Sequence, residues 1–222
     1  MKKLLLTLTL LLSLGFSLQG AAAQTPDAST PVMGEQMDVE GLETVYDRTY
    51  MVDFETMMAS PSADLDSAAM MRVVSIQGMT FDSDDNAKKY LDDLKSQIDE
   101  AKESSDEMAD IEVKELEDID KDGFLITTFM EDLDMATSAI IFVDGNQVFM
   151  IVAIDADLES STRLVTDVAT FVADAESGSD DVTFSEDGTS TGGVYDRMPV
   201  AGDELVSDLP TVSDTVLFEA GE

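Results

Sequence analysis

The chain has 222 residues, 48 acidic and 12 basic, for a formal net charge of −36, and it holds no His, Cys or Trp. Without Cys there are no disulfides, thiolate nucleophiles, Fe–S clusters or Cys-ligated zinc, and without His there is no Ser-His-Asp triad, imidazole base or His-ligated metal. The acid excess argues against nucleic acid, whose phosphates need Lys and Arg, and against an anionic membrane surface.

Lys2 and Lys3 precede an apolar run over residues 4–18, and Gly20, Ala21, Ala22 and Ala23 follow it. This charged, apolar and small-residue order predicts a secretory signal peptide over 1–23, cleaved after Ala23. The run is shorter than the about 20 apolar residues of a membrane span, and no later run is long enough. A soluble mature chain, secreted or periplasmic, is therefore expected. Its stability must come from a core, because no covalent staple is available.

Residues 24–44 are rich in Pro, Ser, Thr, Gly and acid without periodicity, which predicts a flexible acidic lead-in. A first strand is expected over 46–54 and a second over 71–81, where β-branched residues partly alternate. Asp82 and Ser83 are N-cap candidates for a helix whose apolar positions Ala87, Tyr90, Leu91, Leu94, Ile98 and Ala101 recur at spacings of three and four. Residues 111–119 read as a strand in which Leu116 and Ile119 fall out of phase. Residues 120–123 form a turn, and 124–130 a further strand. Residues 138–143 and 147–154 flank Asp144, Gly145 and Asn146, a hairpin signal. The second member of this pair is apolar nearly throughout, as a strand covered on both faces should be. A second helix starts near Asp157 and presents Leu164, Val165, Val168, Phe171 and Val172 on one side. Residues 176–193 read as a linker.

The predicted fold class is α+β, a mostly antiparallel sheet in β-β-α-β-β-β-β-α order over residues 45–175, with a helix on each face. This order, together with the segments MRVVSIQGMTF, AKKYLDDLKSQI, SAIIFVDGNQVFMIVAI and STRLVTDVATFV, resembles the PsbP/Mog1/LpqN-like group of small α/β/α sandwich domains. The resemblance implies a non-enzymatic accessory or binding domain and transfers no functional residue.

Four groups of residues are candidate sites. Asp118, Asp120 and Asp122 with Gly123 match the first six positions of an EF-hand calcium loop, but position 12 is Phe129 and Glu131 comes two residues late. The competing reading is a polar β-turn. The acid groups Asp82/Asp84/Asp85, Asp92/Asp93, Asp132/Asp134 and Asp180/Asp181 leave a carboxylate-only hydrolase such as a glycosidase as an alternative, although solvated surface explains them more simply. Met57, Met58, Met70 and Met71 could hold Cu(I) in an exported protein, or simply fill core space. In residues 194–222, a C-terminal tail or docking segment, Val194, Tyr195, Asp196 and Arg197 repeat the order of Val45, Tyr46, Asp47 and Arg48. Tyr195 and Arg197 are accordingly candidate anchors on a partner or on the domain.

The acid excess is spread over all these segments, and Asp outnumbers Glu. A distributed carboxylate coat suits high external salt, where the Debye length falls to about 3 Å at 1 M and self-repulsion is screened. The sequence thus predicts an exported, acidic, salt-adapted binding or accessory protein that meets an unknown protein or small ligand at the cell envelope and needs no cofactor. Calcium binding is the main alternative.

Overall fold

The computed structural model describes residues 39–52, 72–104, 111–130, 135–176, 181–184, 189–200, 202–209 and 211–220. The predicted signal peptide, most of the lead-in, the two methionine pairs, Asp132, Asp134 and Asp180 lie outside the described residues.

The strands are β1 (Leu42–Met51), β2 (Val73–Phe81), β3 (Glu112–Glu115), β4 (Gly123–Met130), β5 (Met135–Asp144), β6 (Gln147–Asp155), β7 (Thr183–Phe184), β8 (Ser190–Thr191) and β9 (Thr211–Glu219). The helices are α1 (Asp84–Ser104) and α2 (Leu158–Asp174), with 3-10 turns at Gly193–Arg197 and Glu204–Val206. Seven strands form one antiparallel sheet in the order β3-β4-β5-β6-β2-β1-β9, and β7 pairs with β8. The fold is α+β, with the two helices on opposite faces of the sheet.

Local chemistry explains the elements. In α1 the buried positions Ala87, Leu91, Leu94, Ile98 and Ala101 make one apolar stripe, and Asp84 and Asp85 occupy the first turn, where carboxylates complement the helix dipole. Asp157 caps α2, its Oδ1 accepting from the Ser160 amide at 2.8 Å and its Oδ2 from the Ser160 hydroxyl at 2.8 Å. Asp144 pairs with Gln147, so Gly145 and Asn146 alone turn the β5–β6 hairpin, and Gly145 supplies the positive φ of 61° that this turn requires. The Asn146 side chain donates to Phe81 O at 2.8 Å and ties that turn to the end of β2.

Two cores result. On the α1 side, Leu42, Val45, Phe81, Ile141, Val148, Met150 and Phe218 pack with the helix stripe. On the α2 side, Tyr50, Ile76, Phe142, Phe149 and Ile151 meet Val165, Val168 and Val172, and also Val194, Tyr195, Met198, Val206 and Leu209 from the C-terminal segment.

Several boundaries differ from expectation. β1 begins at Leu42, inside the segment read as a lead-in, because Leu42 finds a place beneath α1. β3 stops at Glu115, and residues 117–122 follow as a run of bends, which accounts for the broken alternation at Leu116 and Ile119. The segments read as a linker and as a tail or docking segment supply β7, β8, both 3-10 turns and β9; of the two readings of 194–222 the docked one holds, since β9 pairs with β1 as an outer strand of the sheet. The domain therefore extends beyond 175 to Glu219. β9 escaped prediction because its polar residues Ser213 and Asp214 break the apolar pattern, and Asp214 is buried only because Arg48 meets it.

Candidate functional site

The C-terminal segment returns to the sheet through two buried arginines. Arg48 and Arg197 are each 2% exposed. Arg48 donates from Nε to Asp214 Oδ1 at 2.7 Å and from Nη2 to Asp214 Oδ2 at 2.8 Å, and also from Nη2 to Ser190 O at 2.6 Å. The Ser190 amide donates to Asp214 as well. Arg197 donates to Val172 O from Nε at 3.2 Å and from Nη2 at 3.0 Å, satisfying a carbonyl in the last turn of α2, which has no basic residue of its own. It also reaches Asp144 Oδ2 at 2.6 Å and Gln147 Oε1 at 3.1 Å.

The two copies of the Val-Tyr-Asp-Arg order meet. The rings of Tyr46 and Tyr195 lie 5.5 Å apart, and the Arg48 guanidinium stands 4.9 Å from the Tyr195 ring centre. Burial holds the phenols of Tyr46, Tyr50 and Tyr195 above the ordinary tyrosine range. Tyr195 and Arg197, candidate anchors from the sequence, thus face the interior of their own chain.

The three aspartates of the EF-hand-like stretch are placed differently. Asp118, Asp120 and Asp122 are all exposed. Asp122 accepts from Lys88 Nζ at 2.8 Å, and that contact holds its carboxyl below the usual range. Among the described residues no group of three or more His, Cys, Asp or Glu side chains stands where it could hold a metal ion. The flanking elements are strands β3 and β4, joined by a bent loop in the manner of a polar turn.

Asp118 has a second setting. Residues 114–119 form one wall of a groove of about 620 Å³, with Leu125 and Ile140 on its sheet floor and Thr166 of α2 opposite. Ile119 and Ile140 are buried, while Leu116 and Leu125 are half-buried and open to the groove. An adjoining depression of about 640 Å³ shares Asp118 and Thr166 and runs along α2 past Leu158, Glu159, Thr162, Arg163 and Asp167. Leu158 is 38% exposed, one of the few large apolar side chains at the surface among the described residues. Glu115, Glu117, Asp118, Glu159 and Asp167 supply five carboxylates to the rim, against Lys114 and Arg163. The volume falls in the range of small-ligand pockets, and the floor is apolar. The signal for it in the sequence was the phase break at Leu116 and Ile119, whose side chains left β3 to build this wall.

Among the described residues no helix is long and apolar enough to cross a membrane. No family model and no curated protein matches the chain. Among solved structures it is similar to the extracellular domain of PknH from Mycobacterium tuberculosis, at 11% identity and a TM-score of 0.31, over 44% of this chain and 56% of that one.

Proposed function

We propose that this chain is an exported, non-enzymatic binding protein whose ligand is an amphipathic cation seated in the groove between α2 and the β3–β4 loop. The carrying observation is the apolar surface made by Leu116 and Ile119 of the wall and Leu125 and Ile140 of the floor, beneath a rim with five carboxylates and two basic groups. An apolar moiety placed on that floor brings its positive group against Glu115, Glu117 or Asp118, and charge complementarity adds both encounter rate and selectivity. The basic, apolar and small-residue order of residues 1–23 supports export. The absence of His and Cys from the sequence supports a role in binding over catalysis. The element order supports kinship with the PsbP/Mog1/LpqN-like group. The distributed acid coat supports adaptation to high salt.

The test is fluorescence anisotropy with a labelled short peptide of alternating Leu and Lys, measured at 1 M NaCl so that diffuse attraction to the −36 chain is screened. Saturable binding is expected, with at least a tenfold loss in Leu116→Gln and in the double variant Glu117→Gln/Asp118→Asn. Equal loss in Asp92→Asn/Asp93→Asn, two acids on α1, would overturn the groove as the site.

A further inference from the structure

On the α1 side of the sheet a polar cluster interrupts the apolar core. In the β1–β2 register Asp47 lies opposite Gln77, and Thr49 opposite Ser75, so the four side chains share one face. Asp47 is 5% exposed, Ser75 4% and Gln77 1%. The Ser75 hydroxyl donates to Asp47 Oδ1 at 2.6 Å, and the Thr49 hydroxyl to Oδ2 at 2.8 Å. The neighbouring strands present Thr215 and Ser213 from β9 and Met150 and Val152 from β6, none of them charged. Arg48 is next to Asp47 in the chain, but alternation sends it to the other face, where Asp214 neutralises it. Among the described residues no Lys or Arg forms an ion pair with Asp47.

Gln77 is left incomplete. Its Nε2 and Oε1 are both buried, and neither has a hydrogen-bond partner among the described residues. The amide lies near enough to Asp47 to favour the carboxylate, yet it does not meet it in hydrogen-bond geometry. Native interiors rarely leave such a group orphaned, so an unpartnered buried amide beside a buried carboxylate calls for an explanation. Burial pushes the Asp47 carboxyl up to about 6, against the pull of the Ser75 and Thr49 hydroxyls, and the nearby charge of Asp214 adds to the rise. At neutral pH most of the population still carries the charge, and among the described residues no side chain balances it.

We infer that this cluster binds a monovalent alkali cation, Na⁺ or K⁺, through the Asp47 carboxylate, the Thr49 and Ser75 hydroxyls and Gln77 Oε1. All four donors are oxygen, which selects hard cations and disfavours soft metals. The hydroxyls spend their protons on Asp47 and keep lone pairs for an ion, and a half-turn of the Gln77 amide, whose N–H end favours the carboxylate in the empty cluster, brings Oε1 to the ion. One carboxylate balances one positive charge, whereas a divalent ion would leave a buried charge of the opposite sign. At molar external salt even a weak site fills, and its occupancy adds directly to stability. The cluster lies across the sheet from the groove, so the two proposals stand or fall separately.

Thermal unfolding of the full chain at equal ionic strength in NaCl, KCl and tetramethylammonium chloride separates site binding from general screening, because the organic cation is too large for the cluster. A melting temperature about 3 °C or more higher in NaCl or KCl is expected, with that increment lost in Asp47→Asn and reduced in Gln77→Leu. An equal melting temperature in all three salts, or an increment that persists in Asp47→Asn, would overturn the site. Should either variant fail to fold, anomalous diffraction from wild-type crystals grown in thallium(I) or rubidium salt decides. A peak against the Asp47 carboxylate supports the site, and water or empty density there refutes it.

Discussion

Arg48 and Asp214 stand 166 residues apart in sequence and meet through two parallel hydrogen bonds of 2.7 and 2.8 Å in the interior of the protein. The pair joins β1 to β9 and explains how so acidic a C-terminal segment enters the sheet. A two-pronged guanidinium–carboxylate contact fixes geometry as well as charge. Removing one partner leaves the other charged and buried. Arg48→Met and Asp214→Ala should each cost about 3–5 kcal/mol, and Arg48→Met/Asp214→Leu should recover most of that loss. Urea unfolding measures all three. Additive losses in the double variant would show that the two residues do not act as a pair.

Arg197 closes α2 from outside the helix. Its fork reaches Val172 O, Asp144 and Gln147 together, which a lysine ammonium cannot do. Arg197→Lys should lose about 2 kcal/mol, and Arg197→Met more. Hydrogen exchange should show the last turn of α2 opening first. Asp144 keeps Lys121 at 2.8 Å in either variant, so the β5–β6 turn should stay protected.

Gly78 makes room for the C-terminal segment. A Cβ there would stand 2.7 Å from Val194 Cβ, closer than packed carbons approach. Gly78→Ala should destabilise by about 1–3 kcal/mol, and Val194→Ala in the same chain should relieve part of that cost. A double-mutant cycle by thermal melting checks the coupling. A purely additive result would mean that the cost arises in β2 alone.

The pH dependence has opposing parts. Asp47 has its folded pKa raised to about 6, so the folded state holds its proton more tightly than the unfolded state. That contribution is fully present below about pH 4, is lost as pH rises towards 6, and amounts to about 3 kcal/mol. Asp144 runs the other way: burial opposes ionisation, but Lys121 and Arg197 outweigh it and hold the carboxyl low. Its contribution is present above the unfolded value and lost on acidification. In tetramethylammonium chloride, Asp47→Asn should therefore gain on the wild type between pH 4 and 6. In NaCl the gain should be smaller, because a bound cation stabilises the carboxylate. Chemical denaturation across that range in both salts measures the slopes.

The sequence made the sheet and both helices legible where periodicity was strong. α1 was marked by its spacings of three and four, and the β5–β6 turn by Gly145 and Asn146. β9 stayed hidden because Asp214 and Ser213 look like surface residues until Arg48 and β1 are placed beside them. Tyr195 and Arg197 were visible as unusual residues in a polar segment, but their direction, inward onto Phe149 and Val172, depends on contacts far apart in sequence. The groove showed itself only as a loss of phase at Leu116 and Ile119. The cation cluster left a similar trace: Ser75 and Gln77, two apart in an otherwise apolar strand, had to share a face. Neither trace identifies a ligand without the strands on each side.

The most direct measurement for the groove is amide chemical-shift mapping of the ¹⁵N-labelled chain during titration with the alternating Leu–Lys peptide in 1 M NaCl. Saturable shifts confined to residues 114–119, 125, 140 and 158–167 are expected. Shifts spread over the acidic surface of α1, or none at the groove, would contradict binding there.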